Sequence, residues 1–405
     1  MNKLTIDDVN FQGRKVLLRV DFNVPLDKNQ NITDDRRIRA SLPTIKKILD
    51  DGGMVIACSH LGRPKGKNVA EMSLKPAATQ LGKLLGIDVT FAEDCIGPEA
   101  ANPVAKMKNG DCVLLENLRY HPEEEANDSD FAGKLASLAD IYVNDAFGSA
   151  HRAHASTEGV THHFDQSLAG YLMKKELRYL GNAVSNPERP FAAILGGAKI
   201  SGKIDVITNL MDKVDVLIIG GGMVFTFSKA MGNPIGDSLL EEDKVELARE
   251  ILGKVKGARA KLVFPIDIVC ASEISDSAEG KVYDLDKIPD GMKGLDIGPA
   301  SVKLFSDSLA EARTVVWNGP MGVFECEPFA KGTFAVARML AVLTAKEAIT
   351  VVGGGDSAAA VSQSGLDDRL THISTGGGAS LEFLEGKKLP GVEALTDASP
   401  AGGNR

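Results

Sequence analysis

Short β-branched runs alternate with longer amphipathic stretches over almost the whole chain, and few folds accept that rhythm. In the first half the runs are KVLLRVDFNV (15–24), MVIACSH (54–60), DVTFAE (88–93), CVLLENL (112–118) and IYVNDAF (141–147). Between them lie helical patterns such as 37–53, RIRASLPTIKKILDDGG, where Leu42, Ile45, Ile48 and Leu49 fall on one face before a glycine stop. Strand and helix in regular succession predict an α/β fold, a parallel sheet covered by helices with right-handed crossovers.

The rhythm pauses once. A helical pattern from Ser167 to about Ala183 runs into SNPERP (185–190), and strand-like runs then resume at FAAILGG (191–197), DVLIIGGG (215–222), KLVFPIDIVCA (261–271), TVVWNGP (314–320), ITVVGGGD (349–356) and HISTGGG (372–378). At 405 residues the chain suits two domains of about 200 residues each. The expected architecture is two doubly wound, Rossmann-like domains joined by a helix and hinge. Their expected bounds are 1–185 and 186–391, followed by a tail over 392–405 whose last residues, TDASPAGGNR, read as disordered.

Composition narrows the function. A formal charge of −9 speaks against general affinity for nucleic acid or anionic membranes, and no apolar run nears the length of a membrane span. The N-terminus has no apolar core of a signal peptide, so a cytoplasmic protein is expected. The cysteines (Cys58, Cys95, Cys112, Cys270, Cys326) form no C-x-x-C pair and read as buried, reduced thiols. With no coiled coil or swapped segment evident, a monomer is expected.

The two halves carry different chemistry. Glycine triplets at 220–222, 353–355 and 376–378 all follow strand-like runs of the second half. Bare backbone lets a ligand approach closely, and N–H groups opening a helix favour an anion, so three such turns point to a nucleotide or phosphate. None continues as G-x-G-x-x-G, which leaves a dinucleotide unsupported. Asp356 either caps the following helix or holds magnesium beside phosphates; Glu325 is either solvated or bonded to ribose hydroxyls; Trp317 reads as core. GAKISGKI (197–204) meets the P-loop pattern except at its end, where Ile204 stands in place of the hydroxyl ligand. Its two lysines, Lys199 and Lys203, follow a strand, and a helix starting near Ser201 would carry Lys203.

In the first half, all histidines but His372 accompany arginines near predicted strand ends. Asp21 and Asn23 alternate at the end of RVDFNVP and suit substrate hydroxyls. Arg36, Arg63, Arg119 and Arg152 lie in DDRRIRAS, SHLGRP, ENLRY and GSAHRAHAS. Guanidinium forks converging from four segments of an acidic chain imply a compact dianion. His60, His151 and His154 invite a general-base role, yet an ionised carboxylate acceptor needs no base and would use histidine only as a donor. No G-x-S-x-G elbow supports a hydrolase.

Eleven ordered segments from about residue 15 to 391, among them RVDFNVP, SHLGRP, ENLRY, LGGAKISGKI, WNGPMGVFE and ISTGGGASLEFLEGKKLPG, resemble bacterial phosphoglycerate kinases. The resemblance implies Mg-dependent, reversible phosphoryl transfer between 1,3-bisphosphoglycerate and ADP, giving 3-phosphoglycerate and ATP, with hinge closure. It assigns Asp21, Asn23, Arg36, His60, Leu61, Gly62, Arg63, Arg119 and Arg152 to the acid. Lys203, Gly221, Glu325, Gly353, Gly354, Gly355, Asp356 and Ser357 go to the nucleotide, with Asp356 on magnesium. Arg36, Lys199, Lys203 and the N–H groups of Gly376 and Gly377 are expected to neutralise the transferring group. Two positions depart from the family pattern: Gly202 replaces an acidic residue and Ser357 a threonine. A glycine inside a helix costs about 1 kcal/mol, so Gly202 would loosen the first turn if the helix includes it. Another carboxylate kinase, or a nucleotide-binding protein without activity, are the competing readings.

Overall fold

The computed structural model describes residues 2–255 and 257–398. They form two compact units: the first runs to Arg178 and takes in the segment from Lys388 onward, and the second is Tyr179–Lys387.

In the first unit six strands, β1 (Lys15–Arg19), β2 (Met54–Cys58), β3 (Val89–Ala92), β4 (Cys112–Leu115), β5 (Ile141–Asn144) and β6 (Ser167–Ala169), make a wholly parallel sheet ordered β3-β4-β2-β1-β5-β6. β2 and β4 are buried along their whole length, as expected of parallel strands covered on both faces. The helix Arg36–Asp50 buries Ile38, Ile45 and Ile48 against Val16, Leu18 and Val55, with Leu42 and Leu49 packed at the margin of the same core. This matches the spacing read from sequence.

The second unit begins with β7 (Phe191–Leu195), β8 (Val216–Ile219) and β9 (Lys261–Val263). It continues with β10 (Asp267–Ala271), β11 (Lys281–Asp284) and β12 (Lys293–Ile297), then β13 (Thr314–Asn318), β14 (Ile349–Gly353) and β15 (His372–Ile373). Its main sheet is parallel in the order β15-β14-β13-β7-β8-β9, and β11-β10-β12 form a separate antiparallel sheet. Trp317 is fully buried in the core of this unit, and its indole N–H donates to the Gly319 carbonyl at 2.7 Å.

The two expected parallel sheets are present, with several corrections of detail. β1 stops at Arg19, so Asp21 to Pro25 form a loop and not a strand end. The helix expected from Ser167 starts at Tyr171; the three residues before Gly170 pair with β5 as an edge strand. Pro265 splits the run 261–271 into β9 and β10, which join different sheets. The chain passes between units inside the helix Tyr171–Ser185, earlier than the expected bound at 185. Thr396 to Ala398, expected to be disordered, pair with the N-terminus: Leu4 N–H donates to Thr396 O at 2.8 Å and Ala398 N–H to Asn2 O at 2.9 Å. The rest of that expected tail lies outside the described residues. Cys58, Cys95, Cys112 and Cys270 are buried free thiols and Cys326 is half-buried. No helix among the described residues is long and apolar enough to cross a membrane.

Candidate active site

The first unit gathers its arginines beyond the ends of β1, β2, β4 and β5. His60, two residues past β2, is buried, and its Nδ1 lies 3.2 Å from Nη2 of Arg19, the last residue of β1. An always-charged guanidinium can only donate, so Nδ1 accepts and the ring proton sits on Nε2. Burial, then the positive fields of Arg19, Arg119, Arg37 and Arg152, hold this imidazole well below its ordinary pKa. His154 is treated the same way, pushed down to about 3 by burial and by Arg119, Arg19 and Arg152. Both rings are neutral at physiological pH.

Around them the polar groups interlock. Arg37 Nη1 donates to Asp21 Oδ1 at 3.0 Å and to the Asn23 carbonyl at 3.2 Å. Asn23 Oδ1 accepts the Gly62 N–H at 2.9 Å, and Asn117 Oδ1 accepts the Leu61 N–H at 3.2 Å. The backbone donors of Leu61 and Gly62 are thus already used, and these residues shape the loop that presents His60. Arg119, buried, donates from Nη1 to the Gly62 carbonyl at 2.8 Å, and its Nε faces Glu125 at 3.3 Å. Arg152 Nε donates to His151 at 3.1 Å.

Arg36 and Arg63 stand apart from this buried group. Both are exposed; Arg36 opens the helix Arg36–Asp50 and binds Asp34, with Nη2 2.6 Å from Oδ2. The structure therefore brings together Asp21, Asn23, His60, Arg119 and Arg152 and leaves Arg36 and Arg63 at the solvent side.

The second unit holds a cleft of about 460 Å³ lined by Gly197, Ala198, Gly221, Gly222, Pro320, Glu325 and Asp356, with apolar walls that include Leu239, Ile274 and Val323. Its floor is backbone packed on backbone. Gly197, Gly221 and Gly319, after β7, β8 and β13, have φ of +102°, +68° and +99°. A Cβ on Gly221 would come within 2.5 Å of the Gly197 backbone, and one on Gly319 within 2.3 Å of the Gly196 carbonyl. Only glycine meets both demands, so sequence places these residues where strand-end loops must touch. Gly353 ends β14, Gly354 caps the helix Gly355–Gln363 with φ +90°, and Asp356 is exposed in its first turn. Its carboxylate stands in the first turn, where the helix N-terminus favours negative charge, and faces the cleft. The Ser357 hydroxyl, fully buried, accepts the Gly319 N–H at 2.7 Å and braces the loop over the cleft.

The helix after β7 starts at Ile204, not at Ser201, so Lys203 is its N-cap residue and Gly202 lies outside it without the helical cost. Lys203 Nζ donates to Asn318 Oδ1, and burial draws its pKa down to about 8 against the opposing pull of Glu385 and Asp356. Lys199 is exposed. Gly376 N–H donates to Ser374 Oγ at 3.0 Å, so that donor is engaged, while Gly377 caps the helix Gly378–Leu384 with φ +48°.

Sequence reasoning missed Arg19, Asn117, Glu124 and Asn318. Arg19 donates from Nε to Ser156 Oγ at 2.8 Å, and that hydroxyl donates to buried Glu124 at 2.6 Å. A charge ending the apolar run KVLLR was the available signal for Arg19; nothing local marks Glu124 within the acidic run PEEE.

A buried guanidinium cluster in one doubly wound unit and a glycine-floored cleft in the other define, as a class, a small-molecule phosphotransferase. Residues 6–387 match the family described as phosphoglycerate kinase, and the chain belongs to that family. It is similar to the phosphoglycerate kinase of Chloroherpeton thalassium, 62% identical over 398 residues covering 98% of this chain and 100% of the relative. The phosphoglycerate kinase of Chlorobaculum tepidum is 59% identical over 397 residues, with the same coverage. Among solved structures, phosphoglycerate kinase from Coxiella burnetii matches with a TM-score of 0.88 at 40% identity, covering 97% of this chain and 98% of that one. The Pyrococcus horikoshii enzyme matches at a TM-score of 0.85 and 33% identity, with the same coverage.

Proposed function

We propose that the chain transfers a phosphoryl group reversibly between 1,3-bisphosphoglycerate and ADP, forming 3-phosphoglycerate and ATP, by direct in-line displacement. The observation that carries this reading is the ring of guanidinium groups about a neutral His60, which suits a small acid bearing a phosphate. Asp21 and Asn23 receive the hydroxyl region of the acid. His60 donates from Nε2, and Arg119, Arg152, Arg63 and Arg36 meet its negative charge. No general base is needed, because the accepting carboxylate is already ionised.

The nucleotide takes the second-unit cleft, with phosphates over Gly353 to Ser357, ribose hydroxyls toward Glu325 and the base against the walls near Gly221. Asp356 offers one exposed carboxylate beside that cleft, which fits a magnesium ion held chiefly by phosphate oxygens and water. When bound, magnesium neutralises phosphate charge. Lys203 exchanges Asn318 for the transferring group, Arg36 exchanges Asp34, and Lys199 and the Gly377 N–H add positive potential. Exposed pairs such as Arg36 with Asp34 hold about 1 kcal/mol or less, so the exchange is inexpensive. Transfer requires the acid and the nucleotide to be brought together, and closure about the helix Tyr171–Ser185 accomplishes this while excluding water from the acyl phosphate. The same reading has the enzyme working as a monomer in the cytoplasm, without nucleic acid or membrane partners.

ATP-dependent phosphorylation of 3-phosphoglycerate, acetate and aspartate should be compared directly. Strong preference for 3-phosphoglycerate is expected; preference for either other acid overturns the assignment. Arg36→Ala should lower turnover far more than nucleotide affinity.

A further inference from the structure

We propose that Asp94, Cys95 and His121 of the first unit form a binding site for a borderline-soft divalent cation of the zinc class. Asp94 and Cys95 lie in the loop that follows β3, and His121 precedes the short helix Pro122–Glu125. One ligand atom from each residue lies within 4.8 Å of the others. His121 Nε2 and Asp94 Oδ1 are 2.7 Å apart, and Asp94 Oδ1 also accepts the Cys95 N–H at 2.6 Å, which fixes the loop. The imidazole packs on Phe131 with ring centroids 5.3 Å apart, so its direction is set.

An aspartate and a histidine by themselves make an ordinary ion pair. The thiol at the same spot turns the pair into a set of sulfur, nitrogen and oxygen donors, which selects zinc-like ions over magnesium. Donor atoms around a tetrahedral zinc sit roughly 3.3–3.7 Å apart, so the three groups need shifts of about 1 Å. Cys95 is fully buried, whereas the Asp94 and His121 side chains are 36% and 25% exposed, leaving one side open to a water as fourth ligand. Glu123 adds a negative charge beside the imidazole, opposed by Lys134, and Glu93 is paired with Lys75 at 3.8 Å. On binding, the S–H bond breaks, the thiolate pair forms the metal–sulfur bond and the proton leaves to solvent. The Nε2–H bond that faces Asp94 also breaks, its proton passing to solvent from the charged ring or to Nδ1 in the neutral one, and the imidazole coordinates through Nε2 with its remaining proton on Nδ1. This site is separate from the one proposed for magnesium at Asp356.

The test is cobalt(II) titration of the full-length, EDTA-treated protein without nucleotide, followed by absorption. One equivalent of cobalt should give thiolate-to-metal charge transfer in the near ultraviolet together with intense visible bands of tetrahedral cobalt, both erased by one equivalent of zinc. Cys95→Ser should remove the charge-transfer band, and Asp94→Asn should weaken cobalt binding at least about tenfold. Cys326→Ser alters the half-buried thiol and should change nothing. Turnover of 3-phosphoglycerate without added transition metal reports that each variant is folded. Should Cys95→Ser fail that check, His121→Gln replaces it, with loss of the tetrahedral bands expected. Absence of a charge-transfer band in the parent protein, its survival in Cys95→Ser, survival of the tetrahedral bands in His121→Gln, or loss of the band in Cys326→Ser overturns the proposal.

Discussion

Arg19 donates to His60: Nη2 lies 3.2 Å from Nδ1, and both side chains are buried. This contact fixes the imidazole as a donor through Nε2. The same guanidinium reaches buried Glu124 through the Ser156 hydroxyl, so a carboxylate and a neutral histidine are organised by one cation.

Removing that cation should be felt first in stability. Arg19→Met leaves Glu124 buried without its nearest guanidinium and is expected to destabilise the protein by about 3–5 kcal/mol, read by urea denaturation. Arg19→Lys keeps a charge but loses the fork. It should fold better than the methionine variant and bind 3-phosphoglycerate more weakly than the parent.

Opposing titrations should flatten stability at mildly acidic pH. His154, drawn down from 6.5 to about 3 by burial and nearby arginines, binds its proton more readily when unfolded, so its contribution is present above pH 6.5 and is lost as pH falls toward 3. Asp145, raised by burial from 3.8 to about 7, works in reverse: its contribution is present below pH 3.8 and is lost as pH rises to 7. Between roughly pH 4 and 6.5 each slope reaches up to about 1.4 kcal/mol per pH unit, with opposite signs. Asp145→Asn should therefore make stability rise more steeply with pH than in the parent, and His154→Gln should make it fall. Denaturant titrations at several pH values read the slopes.

Lys203 should set an alkaline limit. Burial lowers its pKa to about 8, so kcat/KM for ADP is expected to decline above that pH as the free enzyme loses this charge. Lys203→Arg should remove the decline, and Lys203→Met should reduce kcat by roughly 100-fold or more at all pH values.

Much of this was legible in the sequence because strands of a parallel sheet, buried on both faces, must be largely apolar, as β2, β4 and β7 are throughout and β13 is between Thr314 and Asn318. β11, KVYD, is largely exposed and polar, and β12, KGLDI, carries a glycine and two charges, so neither resembles a buried strand. β6 spans only three residues before Gly170, too few to interrupt a helical pattern. Of the site, the glycine turns and exposed arginines could be read locally. The contact of Arg19 with His60 joins residues 41 apart, and Ser156 meets Glu124 across 32; such pairings leave no periodic trace.

The cleft floor gives a test of the nucleotide side alone. Gly221→Ala places a methyl within 2.5 Å of the Gly197 backbone at φ +68°, so the loops after β7 and β8 must part. The cost should be at least about 1–3 kcal/mol, with weaker ADP binding by calorimetry and unchanged binding of 3-phosphoglycerate.

Direct transfer is the center of this account, and the stereochemistry at phosphorus tests it most closely. With ATP made chiral at the γ-phosphorus by oxygen isotopes, one in-line displacement onto the carboxylate of 3-phosphoglycerate should invert configuration in the acyl phosphate formed. Retention would mean two displacements and a phosphorylated protein group between them, and would contradict the account.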